Sequence, residues 1–338
     1  GLIDRFVLER ALKSGGTVVE RFVDDHGLFM SNDVRKMVLG WRHVIEGIFE
    51  IRSHRTRCFE VRNLVNERYY RVYTTAAEAI GFFKDGDFFL SRIVPIGRHH
   101  AFSGSATHFS WDGTKSHRSE MYRIAVEMQL RFPHLAFRDN EEKLTRSLEM
   151  ARQRHEFFRK LFGGEEIISP GEQLVEKHHE YMDAWNRSRA ERHAVEAPVL
   201  PVLDLPESLR NDAAAGMLSD PVDGVLFLEE YGGFIDIFAQ PEAHLGQADT
   251  VELLFDYLES PTISDVPFRR VQRRYPENFN RVLDFYREDF DAAVENVDDQ
   301  MREFKPETFD KLPSTVVILD PELRSIAYGG PDDSKRRS

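Results

Sequence analysis

From residue 47 the apolar period of the chain switches from helical to two, and this switch limits the possible folds more than any other feature. The stretch "GIFEIRSHRTRCFEVRNLVNERYYRVYTT" alternates apolar and polar residues around the turn candidate "RNLVNER". "FFLSRIVPIGRHHAFSGSATHF" resumes the alternation after the turn "KDGD". About five short strands fit between residues 47 and 112, enough to close a small antiparallel β-barrel or to form a strongly curled sheet.

Helical patterns flank this segment. "LIDRFVLERAL" places Leu2, Ile3, Phe6, Val7 and Ala11 on one stripe and ends at "SGG". Thr17 and Glu20 have capping-box spacing ahead of "VVERFVDDHG", and Ser31 or Asn32 can cap "DVRKMVLGWRHVIEG". Residues 1–46 therefore read as a helical lead-in. Beyond the strands, "SEMYRIAVEMQLRFP" and "NEEKLTRSLEMARQRHEFFRKLF" are helical, with Gly163 and Gly164 as a stop. Ser169, Pro170 and Glu172 mark the start of another helix.

The Pro-rich stretch "VEAPVLPVLDLPESLRND" reads as a boundary or extended connection. After it, "DGVLFLEEYGGFIDIFAQPEA" reads as two strands around Tyr231, Gly232 and Gly233. Helices punctuated by Pro261, Pro267 and Pro276 follow, then "STVVILD" as a returning strand and a disordered tail. The expectation is an α+β protein divided into a helical lead-in (1–46), a small barrel (47–112), a helical region (113–196), a mixed region with a β-hairpin (197–328) and a tail (329–338). At 338 residues with 41% hydrophobic side chains, there is material for real cores. The 26 Phe against 3 Trp make aromatic packing without polar handles the rule.

Charge narrows the function classes. The net charge of -13 gives no general attraction to phosphate, so nucleic-acid binding requires a local basic patch. Residues 46–112 supply one: nine basic side chains (Arg52, Arg55, Arg57, Arg62, Arg68, Arg71, Lys84, Arg92 and Arg98) face eight acidic ones, so the segment is +1 and the remainder is -14. Phe59, Tyr69, Tyr70, Tyr73, Phe88 and Phe102 are interleaved with them. Basic and aromatic residues on one face of a small barrel form a platform for single-stranded nucleic acid; alternating aromatics also simply fill a barrel core. A second basic stripe, Arg269, Arg270, Arg273 and Arg274 in "FRRVQRRYP", precedes the acidic "REDFDAAVENVDDQ" and reads as intramolecular pairing or a face for an acidic partner.

Metal chemistry has one foothold. In "HEYMD" the two ligand positions of a zinc-protease helix are His179 and Asp183, four apart on one face, with Glu176 and Glu180 beside them. The second position is Asp rather than His, and a solvated polar helix face gives the same letters. His99 and His100 are neighbours on a strand and point to opposite faces. Cys58 is the only cysteine, which excludes an internal disulfide and multi-cysteine zinc sites and fits a reduced cytoplasmic setting. No apolar run approaches the ~20 residues of a membrane helix, and the first residues lack a signal-peptide pattern. No phosphate-cradling glycine loop, dinucleotide fingerprint or nucleophile elbow is present.

The succession "GLIDRFVLERALKSGGTVVERFV", "LGWRHVIEGIFEI" and "GDFFLSRIVPIGRHHAFSG" resembles a group of poorly characterised prokaryotic proteins, many of which carry a SEC-C zinc-binding tail. Trp41, Gly47, Phe49, Glu50, Gly86, Asp87, Arg92, Pro95, Ser103 and Gly104 carry the resemblance over about residues 2–110. "YLESPTISDVPFRRVQRRYP" and "FKPETF" extend it more loosely. The resemblance implies a cytoplasmic protein and supplies no catalytic residues. This sequence departs from the group by lacking the Cys-rich tail, which puts in doubt any zinc-dependent adaptor role carried by that tail. Taken together, the expectation is a cytoplasmic binding or adaptor protein without a cofactor. It would contact a protein or nucleic acid, through Arg55, Arg57, Arg68 and Arg92 of the barrel and the arginines at 269, 270, 273 and 274. A metal-dependent hydrolase using His179 and Asp183, and a structural oligomer, are the alternatives.

Overall fold

The computed structural model describes residues 2–10, 12, 15–55, 57–74, 83–104, 106–193, 205–260, 262–286, 298 and 316–328. The fold is mixed α+β, as the periodicities predict. The chain divides into two compact units, 1–147 with 317–338, and 148–316.

The first unit opens with α1 (Leu2–Leu8), α2 (Val18–His26) and α3 (Asn32–Gly40). The Thr17 capping box forms as its spacing requires: Glu20 accepts from the Thr17 backbone at 2.7 Å and the Thr17 hydroxyl accepts from the Glu20 backbone at 3.3 Å. Ser31 caps α3. That helix stops at Gly40 rather than running to residue 46, because β1 (Ile45–Arg55) begins five residues later and takes Ile45, Phe49 and Ile51 into a sheet.

β1 decides the architecture. Its first half pairs antiparallel with β4 (Phe88–Ile96), from Ile45↔Ile93 to Glu50↔Phe88, and its second half pairs with β2 (Cys58–Asn63), from Phe49↔Asn63 to Arg55↔Cys58. A register shift between Ile51 and Ser53 gives the strand the bend that serving two partners demands. β3 (Tyr69–Tyr73) lies antiparallel to β2, and β5 (His99–Phe102) antiparallel to β4. The parallel pairs Val72↔His100 and Tyr73↔Ala101 close the ring in the order β1-β2-β3-β5-β4-β1. This is a five-stranded barrel with Greek-key connections, the architectural class of OB-folds. β6 (Thr107–Phe109) extends β4 outside the ring.

Inside are Ile45, Phe49, Ile51, Phe59, Val61, Tyr70, Val72, Phe89 and Ile93, with Phe49 and Phe89 stacked at 5.1 Å. Gly47 is required here: a Cβ would sit 2.2 Å from the Asn63 side chain, which crosses the strand at that point. The "KDGD" turn forms as expected. Gly86 is left-handed at φ +93, and the buried Asp87 carboxylate accepts from the Lys84 and Trp111 amides at 2.9 and 2.8 Å and meets His108 Nε2 at 2.9 Å. Outside the barrel, α4 (Lys115–Arg131) packs Met121, Tyr122, Ala125 and Val126 on Ile48 and Phe88. It also satisfies the buried Glu50, which accepts from Tyr122 Oη at 2.7 Å and pairs with Arg118 and Arg52 at 3.1 Å each. Burial, then the Glu50 charge, pushes the Tyr122 hydroxyl up to about 12. α5 (Pro133–Phe137) follows, and α6 (Glu141–Phe162) ends at a left-handed Gly163.

Residues 316–320, expected as part of a returning strand, instead bond to side chains. Ile318 N–H donates to Ser147 Oγ at 3.4 Å and Asp320 N–H to Glu67 Oε1 at 3.2 Å. Asp320 then caps the last described helix, Pro321–Tyr328, whose Leu323 and Ala327 complete the core around α4.

The second unit is built on a three-stranded antiparallel sheet, β7 (Glu166–Ser169), β8 (Ala215–Asp220) and β9 (Gly224–Leu228), in the order β7-β8-β9. α7 (Gly171–His193) and α8 (Glu207–Asn211) share one core with it. A second core forms with α9 (Tyr231–Ala239), α10 (Pro241–His244), α11 (Ala248–Glu259), α12 (Val266–Arg274) and α13 (Pro276–Phe285). The two strands expected around Tyr231, Gly232 and Gly233 are corrected: only β9 precedes them, and "YGGFIDIFA" is α9. Tyr231, Phe234, Ile235 and Phe238 recur at i, i+3, i+4 and i+7, and all four are buried on one helical face. The hairpin partner of β9 is β8, whose Gly216 lets the Tyr231 ring approach to within 2.5 Å of where a Cβ would lie. Most of the Pro-rich stretch, Pro261, "FKPETF" and the tail from residue 329 lie outside the described residues.

Two predictions follow from buried charge. Arg92 is 6% exposed and pairs with Asp4 at 2.8 Å, with Glu46 at 3.3 Å and with Glu9. Arg92→Met should lower unfolding stability by about 3–5 kcal/mol in urea, because it removes the buried guanidinium that the carboxylates of Asp4, Glu9 and Glu46 share. The second concerns Asp223, at the β8–β9 turn. Burial first, then the neighbouring carboxylates of Asp220 and Asp265, raises Asp223 to about 6. A carboxyl raised on folding binds its proton more tightly in the folded state, so stability rises as pH falls from 7 through 6 towards 4. Asp223→Asn should remove that part of the dependence, giving a flatter urea-midpoint profile and a higher midpoint than wild type at pH 7.

Candidate functional site

The barrel wall is covered by helices along β1 and β4, where Ile48 and Phe88 meet α4. Its outward face at β3 is open. Alternation sorts that strand: Tyr70 and Val72 point into the barrel, while Tyr69, Arg71 and Tyr73 point out. Tyr69 is 67% exposed and Tyr73 39%. Residues two apart on a strand are about 6.6–6.8 Å apart, so two phenol rings flank one guanidinium in a row along the strand.

The row continues sideways. Tyr73 touches the His99 ring of β5 at 4.9 Å, and Arg71 faces Glu60 of β2 at 3.1 Å, a largely exposed pair worth little net energy. Arg62, opposite Tyr69, is buried and tied to Glu322 at 2.8 Å and Asp320 at 3.6 Å, so it supports the face without offering a charge.

Arg55 ends β1, Arg57 precedes β2 and Arg68 precedes β3; all three are exposed, and among the described residues none has an ion-pair partner. The turn that presents Arg68 is firmly held. Asn66 Nδ2 donates to Tyr70 Oη at 2.6 Å and to the Arg138 carbonyl at 2.8 Å, and Tyr70 Oη donates to Asp139 at 2.9 Å. Glu67, left-handed at φ +61, receives the buried Lys143 ammonium at 2.6 Å. Burial draws the Lys143 ammonium below its ordinary range, against the pull of Glu67.

The other basic residues singled out from the sequence have internal partners. Arg92 closes onto Asp4, Glu9 and Glu46 and is absent from the open face. In the second unit Arg270 is buried, donating to the Glu165 carbonyl at 3.0 Å and to Glu166 at 3.1 Å. Arg273 pairs with Glu165, Arg274 with Glu166, and Arg269 with Asp265 and Asp298. The stripe is therefore spent mainly on glutamates at the head of β7. Burial opposes it, but the hydrogen bonds from Arg274 and Tyr231 hold the Glu166 carboxyl below its usual range.

His179 and Asp183 lie on α7, where Asp183, Glu176 and Glu180 are exposed and Glu180 meets Lys177 at 2.9 Å. The neighbouring His178 is half-buried and packed on Phe227 at 5.5 Å; burial, then the charges of His179 and Arg154, lowers it to about 4. Among the described residues no group of three or more His, Cys, Asp or Glu side chains is placed to hold a metal ion. His99 and His100 separate as expected, His99 against Tyr73 and His100 against Tyr70 at 4.9 Å.

No protein family, curated protein or solved structure matches the chain. The face must therefore be read from its own chemistry, which is π-surface and guanidinium at the rim of a closed barrel. Sequence reasoning noted Tyr69 and Tyr73 among interleaved aromatics but did not isolate them as a face. The available signal was "YYRVY", whose alternation separates them from Tyr70 and Val72.

Proposed function

We propose that this is a binding protein whose barrel holds single-stranded nucleic acid across β3. The observation that carries the reading is the exposed Tyr69–Arg71–Tyr73 row with Arg55, Arg57 and Arg68 at the adjoining strand ends, free of ion-pair partners among the described residues. Unstacked bases lie on phenol and imidazole rings regardless of sequence, and guanidinium groups track the backbone between them. A five-stranded Greek-key barrel presents its β2–β3 face in this way. The cytoplasmic setting and the kinship with SEC-C-associated proteins belong to the same proposal, supported by the single Cys58 thiol and by the residues from Trp41 to Gly104 described above. The acidic remainder of the chain repels phosphate, which confines contact to this face and makes it sensitive to salt.

Fluorescence anisotropy with a labelled oligo(U) or oligo(dT) of about 15 nucleotides tests this at low salt, since one such barrel covers about 4–16 nucleotides. Replacing Arg55, Arg57 and Arg68 together by Ala should weaken binding at least about tenfold and reduce the slope of log K against log salt by about 2. Tyr69→Ala and Tyr73→Ala should each cost about 1–3 kcal/mol without a change in that slope. Absence of any anisotropy change with the wild-type protein at low salt sinks the proposal.

A further inference from the structure

Leu8, Val19, Val23 and Val38 of the N-terminal segment pack with Val94 of β4 in one buried cluster. Beside this contact α1, α2 and α3 leave a half-open cavity of about 1020 Å³ against β4 and β5. Val19, Phe22, Val38 and Trp41 form its helical side, Val94 and Ile96 its floor. Such a volume lies far beyond the water-sized voids of ordinary packing and at the upper end of the range for small-molecule sites.

The helices are tied to their surroundings at the edges by ions: Asp4 and Glu9 to Arg92, and Glu20 to Arg42 at 2.5 Å. Of the polar side chains in the lining, Asp4 is engaged with Arg92 and Ser103 with the Arg92 carbonyl at 3.3 Å, while the buried indole N–H of Trp41 has no hydrogen-bond partner among the described residues. Water entering the cavity would find one unpaired donor, Trp41 Nε1, where an ordered water needs two to four partners, so the site favours apolar matter that carries a single acceptor. The apolar lining leaves a charged head group without solvation, and an anionic one would also meet the Asp4 carboxylate.

We propose that this cavity binds an uncharged, chain-like hydrocarbon ligand, of the fatty-alcohol or acyl-ester class, with its chain between α2 and the β4–β5 wall and its head toward the opening beside the half-exposed Phe22. The inference stands apart from the nucleic-acid reading, since it uses none of the residues on the β3 face.

The test uses the full chain, the uncharged probe 1,6-diphenylhexatriene, whose emission rises in apolar surroundings, and 1-decanol as competitor. Wild-type protein should take up about one probe per chain, and decanol should displace it. Val18→Phe and Ala101→Leu add bulk from opposite walls, where there is room for it, so both should fold with unchanged circular dichroism and lose at least about tenfold in probe affinity. Three results overturn the proposal: no saturable uptake by wild type, no displacement by decanol, or wild-type affinity in both filled variants. Sedimentation gives a fourth, because a wild-type dimer that Ala101→Leu dissociates would mean a second copy covers this face.

Discussion

The first unit depends on one strand serving two partners. β1 gives its first half to β4 and its second half to β2, and only through this division can five strands make a ring. The register shift at Ile51/Ser53 and the missing Cβ of Gly47 are local conditions for it. Closure then removes sheet edges that would otherwise pair with other chains, and fixes which side chains are core and which are wall. Everything attached outside follows from that sorting: α4 on Ile48 and Phe88, the N-terminal helices over Val94 and Ile96, and a row of rings left uncovered on β3.

Buried charge is handled alike in both units. Arg92, Arg62 and Arg270 each enter a low-dielectric site and each meets two or more acceptors or carboxylates, as the cost of desolvation requires. Glu50 shows the inverse, one carboxylate held by two guanidiniums and a phenol. These sets fasten distant segments together. They also separate structural arginines from those able to meet a partner, because Arg55, Arg57 and Arg68 lie at strand ends beyond such sets.

Local chemistry was the part that the sequence made legible. The Thr17–Glu20 box, the Ser31 cap, the "KDGD" turn and the Gly163 stop depend on residues a few positions apart, and each forms as read. Alternation likewise predicted strands of a small barrel. Non-local facts were out of reach. The parallel β3–β5 seam rests on two residue pairs whose register no periodicity encodes. "YGGFIDIFA" carries β-formers at helical spacing, and the core it lies against decided between the readings. Arg92 and Arg68 are the same letter in the same basic segment; their fates differ because the N-terminal segment and β1 bring Asp4, Glu9 and Glu46 to Arg92, whereas Arg68 has no ion-pair partner among the described residues.

The composition of the first unit inverts the usual order of synthesis. Its core around α4 is completed by Leu323 and Ala327, and its buried Arg62 is neutralised by Asp320 and Glu322, residues made long after the barrel strands. The whole of 148–316 leaves the ribosome in between. Domains generally fold as they emerge, the N-terminal part first; here the barrel ring is complete by residue 102, but the core on α4 and the Arg62 ion pairs need residues 320–327. The later, contiguous unit can reach its final packing before the earlier one does.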